Sequence, residues 1–210
     1  GFLTHDKSLL KDKNLLKKIK EDRFTIQPRL MLEAELQINR KESKKNINSS
    51  FWALNDFYFR SYRDEISPTC TLELQINGET VDEYRGDGLI ISTPTGSTAY
   101  AMATGGPILH PSIEGIIVSA ICPMSLSSRP IVIPSSSILV VRAIGDKTRR
   151  VKLWQDGVSG ALTYPGEKCV IKKASQNAKI VLLEESPSYY TTLTNKLHWA
   201  GSVINTSRDN

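Results

Sequence analysis

Apolar and polar positions take turns near the start of the chain: Leu30, Leu32, Ala34, Leu36 and Ile38 alternate with Met31, Glu33, Glu35 and Gln37. A period of two marks a strand with one buried face. Residues 71–76 alternate in the same way and residues 79–84 return. Between them Asn77-Gly78 is the dipeptide that accepts the positive φ angles of a type I′ turn, so a hairpin is expected. Further strand-length runs cover residues 88–93, 115–122, 131–133, 138–144, 151–154, 169–173 and 179–184, set apart by Pro, Gly, Asp or Ser. Residues 40–50, with four Lys/Arg and several Asn/Ser, have no period and read as a loop leading into the aromatic run Phe51-Trp52-Ala53-Leu54.

Helical spacing is confined to three places. Leu9, Leu10, Leu15, Leu16 and Ile19 are surrounded by Lys11, Lys13, Lys17, Lys18 and Lys20 as on an amphipathic helix. A short helix is expected to open near Ser97, and an amphipathic one spans residues 189–199 with Leu193 and Leu197 one turn apart. Strands dominate residues 29–185, which predicts a mainly β fold: two antiparallel sheets in a sandwich-like domain with a few short helices.

Composition narrows the classes without changing this picture. With 210 residues, 40% hydrophobic and 23% charged, the chain is that of an ordinary globular protein. No run approaches the roughly 18 apolar residues of a membrane span. The net charge of +5 is carried by residues 1–50, which hold 12 Lys/Arg against 7 Asp/Glu. Those cations read as the solvated side of a helix, so neither nucleic acid nor a membrane is expected as a partner. Cys70, Cys122 and Cys169 form no CxxC pair and read as reduced thiols of a cytoplasmic protein, Cys122 as core; His5, His110 and His198 lack metal-ligand spacing. The opening Gly1-Phe2-Leu3-Thr4, without Met or a leader pattern, is expected of a fragment whose beginning lies upstream.

Candidate chemistry concentrates in the stretch from Arg85-Gly86-Asp87-Gly88 through Ser92-Thr93-Pro94-Thr95-Gly96-Ser97-Thr98-Ala99-Tyr100 to Gly105-Gly106-Pro107. It reads as a charged turn, a buried strand, a hydroxyl-rich turn and a helix start that Ser97 or Thr98 caps. Such a corner suits phosphates or ribose hydroxyls, and Tyr100 offers a flat face to an adenine ring. A second constellation is Asn55-Asp56, two polar residues inside the apolar run 51–59, which must bond backbone or ligand.

The sequence resembles the NAD kinases, enzymes that phosphorylate the 2′-hydroxyl of the adenosine ribose of NAD to give NADP. The matching pieces are Gly1-Phe2-Leu3-Thr4, Asn55-Asp56 after Ala53-Leu54, the long motif from Asp87 to Tyr100 with Gly105-Gly106-Pro107-Ile108, Ile121-Cys122-Pro123 with Ser125-Leu126 and Arg129-Pro130, and Asp156-Gly157. The resemblance implies a β-rich NAD-binding C-terminal domain over residues 29–186. Residues 1–28 would then be the end of an N-terminal α/β domain with its linker helix, and residues 187–210 a C-terminal helix and tail. It implies that Asn55 contacts the adenine and that Thr95, Thr98, Ala99, Tyr100 and Ala103 line its pocket. Asp56 would help hold the ribose, Asp87 meet the nicotinamide end across a subunit contact, and Asp156 lie near the substrate. ATP as phosphate donor, a divalent cation such as Mg2+ and a homodimer or homotetramer are implied as well.

Two features depart from the family pattern. The Gly-Gly-Asp-Gly motif, whose Asp is the family's base for the ribose hydroxyl, is not in this chain, so no catalytic residue is assigned to it. Met124 and Asp56 stand where many members carry His and Glu. The alternative reading is a stand-alone NAD or nucleotide sensor that keeps the pocket and does no chemistry.

Overall fold

The fold is that of a computed structural model which describes residue 9 and residues 11–37, 49–62, 69–145 and 150–198. Of the expectations above, those on Gly1-Phe2-Leu3-Thr4, Leu10, Ile38, most of the loop at 40–50 and Trp199 lie outside the described residues. In chain order the elements are α1 (Leu15–Lys20), β1 (Phe24–Arg29), β2 (Leu32–Gln37), β3 (Ser49–Ala53), β4 (Asp56–Ser61), β5 (Cys70–Ile76), β6 (Glu79–Gly86) and β7 (Gly88–Ser92). A 3-10 turn (Thr95–Thr98) and α2 (Tyr100–Ala103) follow. Then come β8 (Gly115–Ile121), β9 (Ile131–Pro134), β10 (Leu139–Ile144), β11 (Val151–Gln155), β12 (Val158–Thr163), β13 (Lys168–Lys173), β14 (Ala178–Leu183) and α3 (Tyr189–Leu197).

The chain gathers into two compact units, Pro28–Ala178 and a second made of Gly1–Gln27 with Lys179–Asn210. The larger unit holds two six-stranded sheets, ordered β3-β2-β13-β10-β5-β6 and β12-β11-β4-β7-β8-β9. Every pairing within them is antiparallel. The alternation read in the sequence is realised in β2, where Leu32, Ala34 and Leu36 are buried and the residues between them are not. Its partners on the opposite sheet include Phe57, Phe59, Leu89, Ile91 and Leu153, all in one hydrophobic core. Each such side chain withdrawn from water contributes about 1.5–3 kcal/mol, which is what keeps the two sheets face to face.

The hairpin β5–β6 turns at Asn77 and Gly78, with φ of 53° and 88° as a type I′ turn requires. Strands β7 and β8 are buried at every position, because one face meets the opposite sheet and Ile90 and Ile121 on the other are covered by Ala101 of α2. Two sequence expectations need correction here. Ser49 and Ser50 belong to β3, paired with Leu36 and Glu35, and not to the loop. Cys122 is exposed at φ 43°, one residue past β8, where the chain turns out of the sheet. The buried thiols are Cys70 and Cys169, and burial pushes their pKa up to about 11 and about 12.

The smaller unit pairs β1 with β14 and carries α1 and α3. The first helix is shorter than its apolar spacing predicts, because Asp12 turns the chain: its carboxylate accepts the Asn14 N–H at 2.8 Å and its carbonyl accepts that of Leu15. Leu16 and Ile19 remain exposed. Lys18 bonds both Asp12 and Glu185, and Arg23 pairs with Glu184 at 3.1 Å. Ser188 caps α3 by accepting the Thr191 N–H at 3.2 Å, and Leu193 is its buried anchor. Among the described residues no helix is long and apolar enough to cross a membrane.

Candidate functional site

Strand β7 runs through the middle of its sheet and delivers the chain at Ser92 into a corner built almost wholly from hydroxyls and backbone. Ser92 lies opposite Asp56 in the register of β4 and β7, so the two polar constellations of the sequence meet here. The Asn55 carbonyl accepts the Thr93 N–H at 2.8 Å and the Ser92 hydroxyl at 3.1 Å. Thr93 donates its hydroxyl to the Leu54 carbonyl at 2.6 Å and accepts the Gly96 N–H at 3.1 Å. Gly96 is required by this closeness: a Cβ there would stand 2.2 Å from the Asn55 carbonyl oxygen.

Neither Ser97 nor Thr98 caps the following helix. Ser97 donates to the Pro94 carbonyl at 2.6 Å and accepts the Leu109 N–H at 3.0 Å, which ties down the segment after α2. Thr98 donates back to the Thr95 carbonyl at 3.3 Å. Both hydroxyls are spent on carbonyls three residues earlier, and α2 starts one residue later, after Ala99.

Asp156 organises the opposite side. It sits in the left-handed region at φ 46°, in the β11–β12 turn, and its carboxylate accepts the N–H groups of Leu54 at 2.8 Å, Asn55 at 2.7 Å and Asp56 at 3.1 Å. Its own N–H returns a bond to the Asp56 carbonyl. This clamp fixes the backbone from Leu54 to Asp56. The Asp56 side chain, 3% exposed, is pushed up to a pKa of about 7, first by burial and then by the Asp156 charge.

Three polar groups of this corner are left without a protein partner among the described residues. The Asn55 side-chain amide makes no hydrogen bond, although its backbone makes three. The Asp56 carboxyl meets no donor. The Thr95 hydroxyl is buried and unpaired. Beside them stands Tyr100, half-buried at the head of α2.

The structure thus brings together Asn55, Asp56, Thr95, Thr98, Ala99, Tyr100 and Asp156. Ala103 closes α2 at an exposed position. Asp87 is not part of this corner: it precedes β7, where its N–H bonds the Ile121 carbonyl at 2.9 Å. Five residues of strand put it roughly 20 Å from Thr93. The sequence reading assigned neither Tyr58 nor Trp154 to this site. Tyr58 meets Tyr100 edge to face, with centroids 5.0 Å apart, and stacks on Trp154 at 5.7 Å and 6°. The signal was in the strand pattern, since residues 58 and 154 share the parity of Asp56 and Asp156 on neighbouring strands.

Comparison with known proteins shows the family and the fold. The family model described as the ATP-NAD kinase C-terminal domain matches residues 56–183. Among relatives, an NAD kinase 1 of Prochlorococcus marinus is 62% identical over 208 residues, covering 97% of this chain and 67% of its own. One from Parasynechococcus marenigrum is 50% identical, with 97% of this chain and 68% of its own covered. The chain therefore spans about two thirds of the length of these relatives. Among solved structures, yeast NADH kinase complexed with NADH superimposes with a TM-score of 0.82 at 27% identity, covering 96% of this chain and 57% of that one. An Archaeoglobus fulgidus NAD kinase in complex with ATP shares the fold at a TM-score of 0.65 and 21% identity, covering 94% and 68%. With the family model covering more than half of the chain and close relatives matching nearly all of it, the chain belongs to the NAD kinase family, and its strand-rich part is that family's C-terminal domain.

Proposed function

We propose that this chain is the NAD-binding part of an NAD kinase, which transfers a phosphoryl group from ATP to the 2′-hydroxyl of the adenosine ribose of NAD. The observation that carries this reading is the set of unspent groups in the corner: the Asn55 amide, the Asp56 carboxyl and the Thr95 hydroxyl, beside the Tyr100 ring. A buried hydroxyl without a partner, as at Thr95, is costly, and a ligand rich in hydroxyls and ring nitrogens satisfies it together with the Asp56 carboxyl and the amide of half-buried Asn55. In this reading Asn55 bonds the adenine edge, Tyr100 faces its ring, and Thr95, Thr98, Ala99 and Ala103 line the pocket. Asp56 faces the ribose, and Asp156 acts by holding the backbone that presents both Asn55 and Asp56.

The contribution of these residues is orientation. In-line phosphoryl transfer asks the protein for positioning and for charge stabilisation, and a ribose hydroxyl held in one place needs only a base and a donor brought up to it. By the family resemblance the base is the Asp of a Gly-Gly-Asp-Gly motif outside this chain. A divalent cation such as Mg2+ neutralises the donor phosphates in such reactions. The residues described here do not fit as its seat: both Asp156 oxygens accept backbone N–H groups, and among the described residues no three His, Cys, Asp or Glu side chains gather. Asp87, at the far end of β7, would serve a dinucleotide held by a neighbouring copy, which favours a homodimer or homotetramer. Free Cys70, Cys122 and Cys169 suit a cytoplasmic protein.

Thr95→Val tests the reading because its two effects have opposite signs. Removing an unpaired buried hydroxyl leaves the melting temperature equal or higher, whereas losing a ligand bond weakens NAD binding by about tenfold. Unchanged NAD affinity in a stable variant would count against a ligand at Thr95.

A further inference from the structure

The aromatic pair behind Tyr100 lies outside the main core between the sheets, with Tyr58 packed against the small cluster of Ile90, Ala101 and Ile121. Tyr58 and Trp154 occupy the outer side of the second sheet, paired directly across β4 and β11. Their rings are nearly parallel, at 6°, and the edge contact with Tyr100 is almost perpendicular, at 82°. Lys152, two residues before Trp154, lays its ammonium 4.7 Å from the Trp154 ring centroid and closes the far end of the stack. The result is a row of three rings that ends at Tyr100. The same two strands carry the Asp156 clamp on Leu54–Asp56, so Asn55 and Tyr100 are both referred to one frame, β4 against β11.

Besides Tyr58, the Tyr100 side chain packs against the small apolar cluster of Ile90, Ala101 and Ile121, which supports its base but offers it no second ring. Its helix has four residues, no side-chain cap, and only Ala101 as a buried member. A ring at the head of so short a helix takes its direction from what it leans on.

We propose that Tyr58, backed by Trp154, is a positioning residue that sets the Tyr100 ring for stacking against the adenine of the bound dinucleotide. This rests on the reading above, in which the corner binds NAD. Tyr58 touches no substrate atom in that reading and acts through Tyr100. Its phenyl ring, not its hydroxyl, supplies the contact, so phenylalanine is sufficient at this position and an aliphatic residue is not.

The test is a calorimetric titration of the complete chain with NAD, run on wild type, Tyr58→Phe, Tyr58→Leu, Trp154→Leu and Asn55→Ala, each with its thermal melt. Tyr58→Leu is expected to weaken binding about five- to tenfold, Trp154→Leu about two- to fivefold, and Tyr58→Phe less than twofold. Rescue by phenylalanine separates ring positioning from a general loss of packing. Should Tyr58→Leu fail to fold, Trp154→Leu, at the rim of the row, carries the test by itself. Wild-type affinity in a folded Tyr58→Leu or Trp154→Leu, with binding lost in Asn55→Ala, overturns the positioning role and leaves the NAD site standing. A folded wild type that does not bind NAD overturns both.

Discussion

Asp56 is the residue whose chemistry departs furthest from its ordinary behaviour. In the unfolded chain its carboxyl titrates near 3.8, and in the folded chain near 7, so between these values the folded state holds the proton more tightly. Stability from this group is therefore greatest below about pH 4, falls as pH rises toward 7 and is level above it. Asp56→Asn removes the slope. Its stability relative to wild type is expected to grow between pH 5 and pH 8 by an amount on the order of a few kcal/mol, measured by urea unfolding at both values. An equal difference at the two pH values would show that Asp56 is ionised throughout. The need for a partner at Asn55-Asp56 was legible in the sequence, because two polar residues interrupt an apolar run. The partner was not. Asp156 lies 100 residues further on, and it meets the backbone of Leu54–Asp56 and leaves the two side chains unpaired.

At the scale of elements, the passage from β7 into α2 depends on Gly96. A methyl group there meets the Asn55 carbonyl oxygen at 2.2 Å and the Ser92 hydroxyl at 2.5 Å, both held by the hydrogen bonds that join the two segments. Gly96→Ala is expected to destabilise the domain by about 3 kcal/mol and to separate Asn55 from the turn. Chemical denaturation measures the first, and a midpoint equal to wild type would mean that the corner is looser than its contacts indicate. The strand, turn and helix of this passage were readable from composition. The capping by Ser97 or Thr98 was misread because a hydroxyl donates as readily as it accepts, and here both donate backward. Strands β1 and β12 were not anticipated. β1 contains Pro28 and exposes Ile26, while β12 is an edge strand that begins with exposed Val158 and Ser159, so neither shows a clean period of two.

On the scale of the molecule, alternation alone predicted two antiparallel sheets, because a strand with one apolar face has to bury it and a second such sheet is the available surface. The order of strands in each sheet does not follow from alternation. It is the order β12-β11-β4-β7-β8-β9 that lays Asp156 against Asn55 and Asn55 against Thr93, joining segments from residues 54, 93 and 156 into one corner. The central claim is that this corner binds the adenosine half of NAD. Its most direct test is calorimetric titration of the folded chain with NAD beside Asn55→Ala, a side chain whose amide makes no bond within the described residues and whose loss leaves the clamp intact. The account predicts that the variant melts as wild type does and that its affinity falls by roughly ten- to a hundredfold. Equal affinity in the two proteins would contradict it.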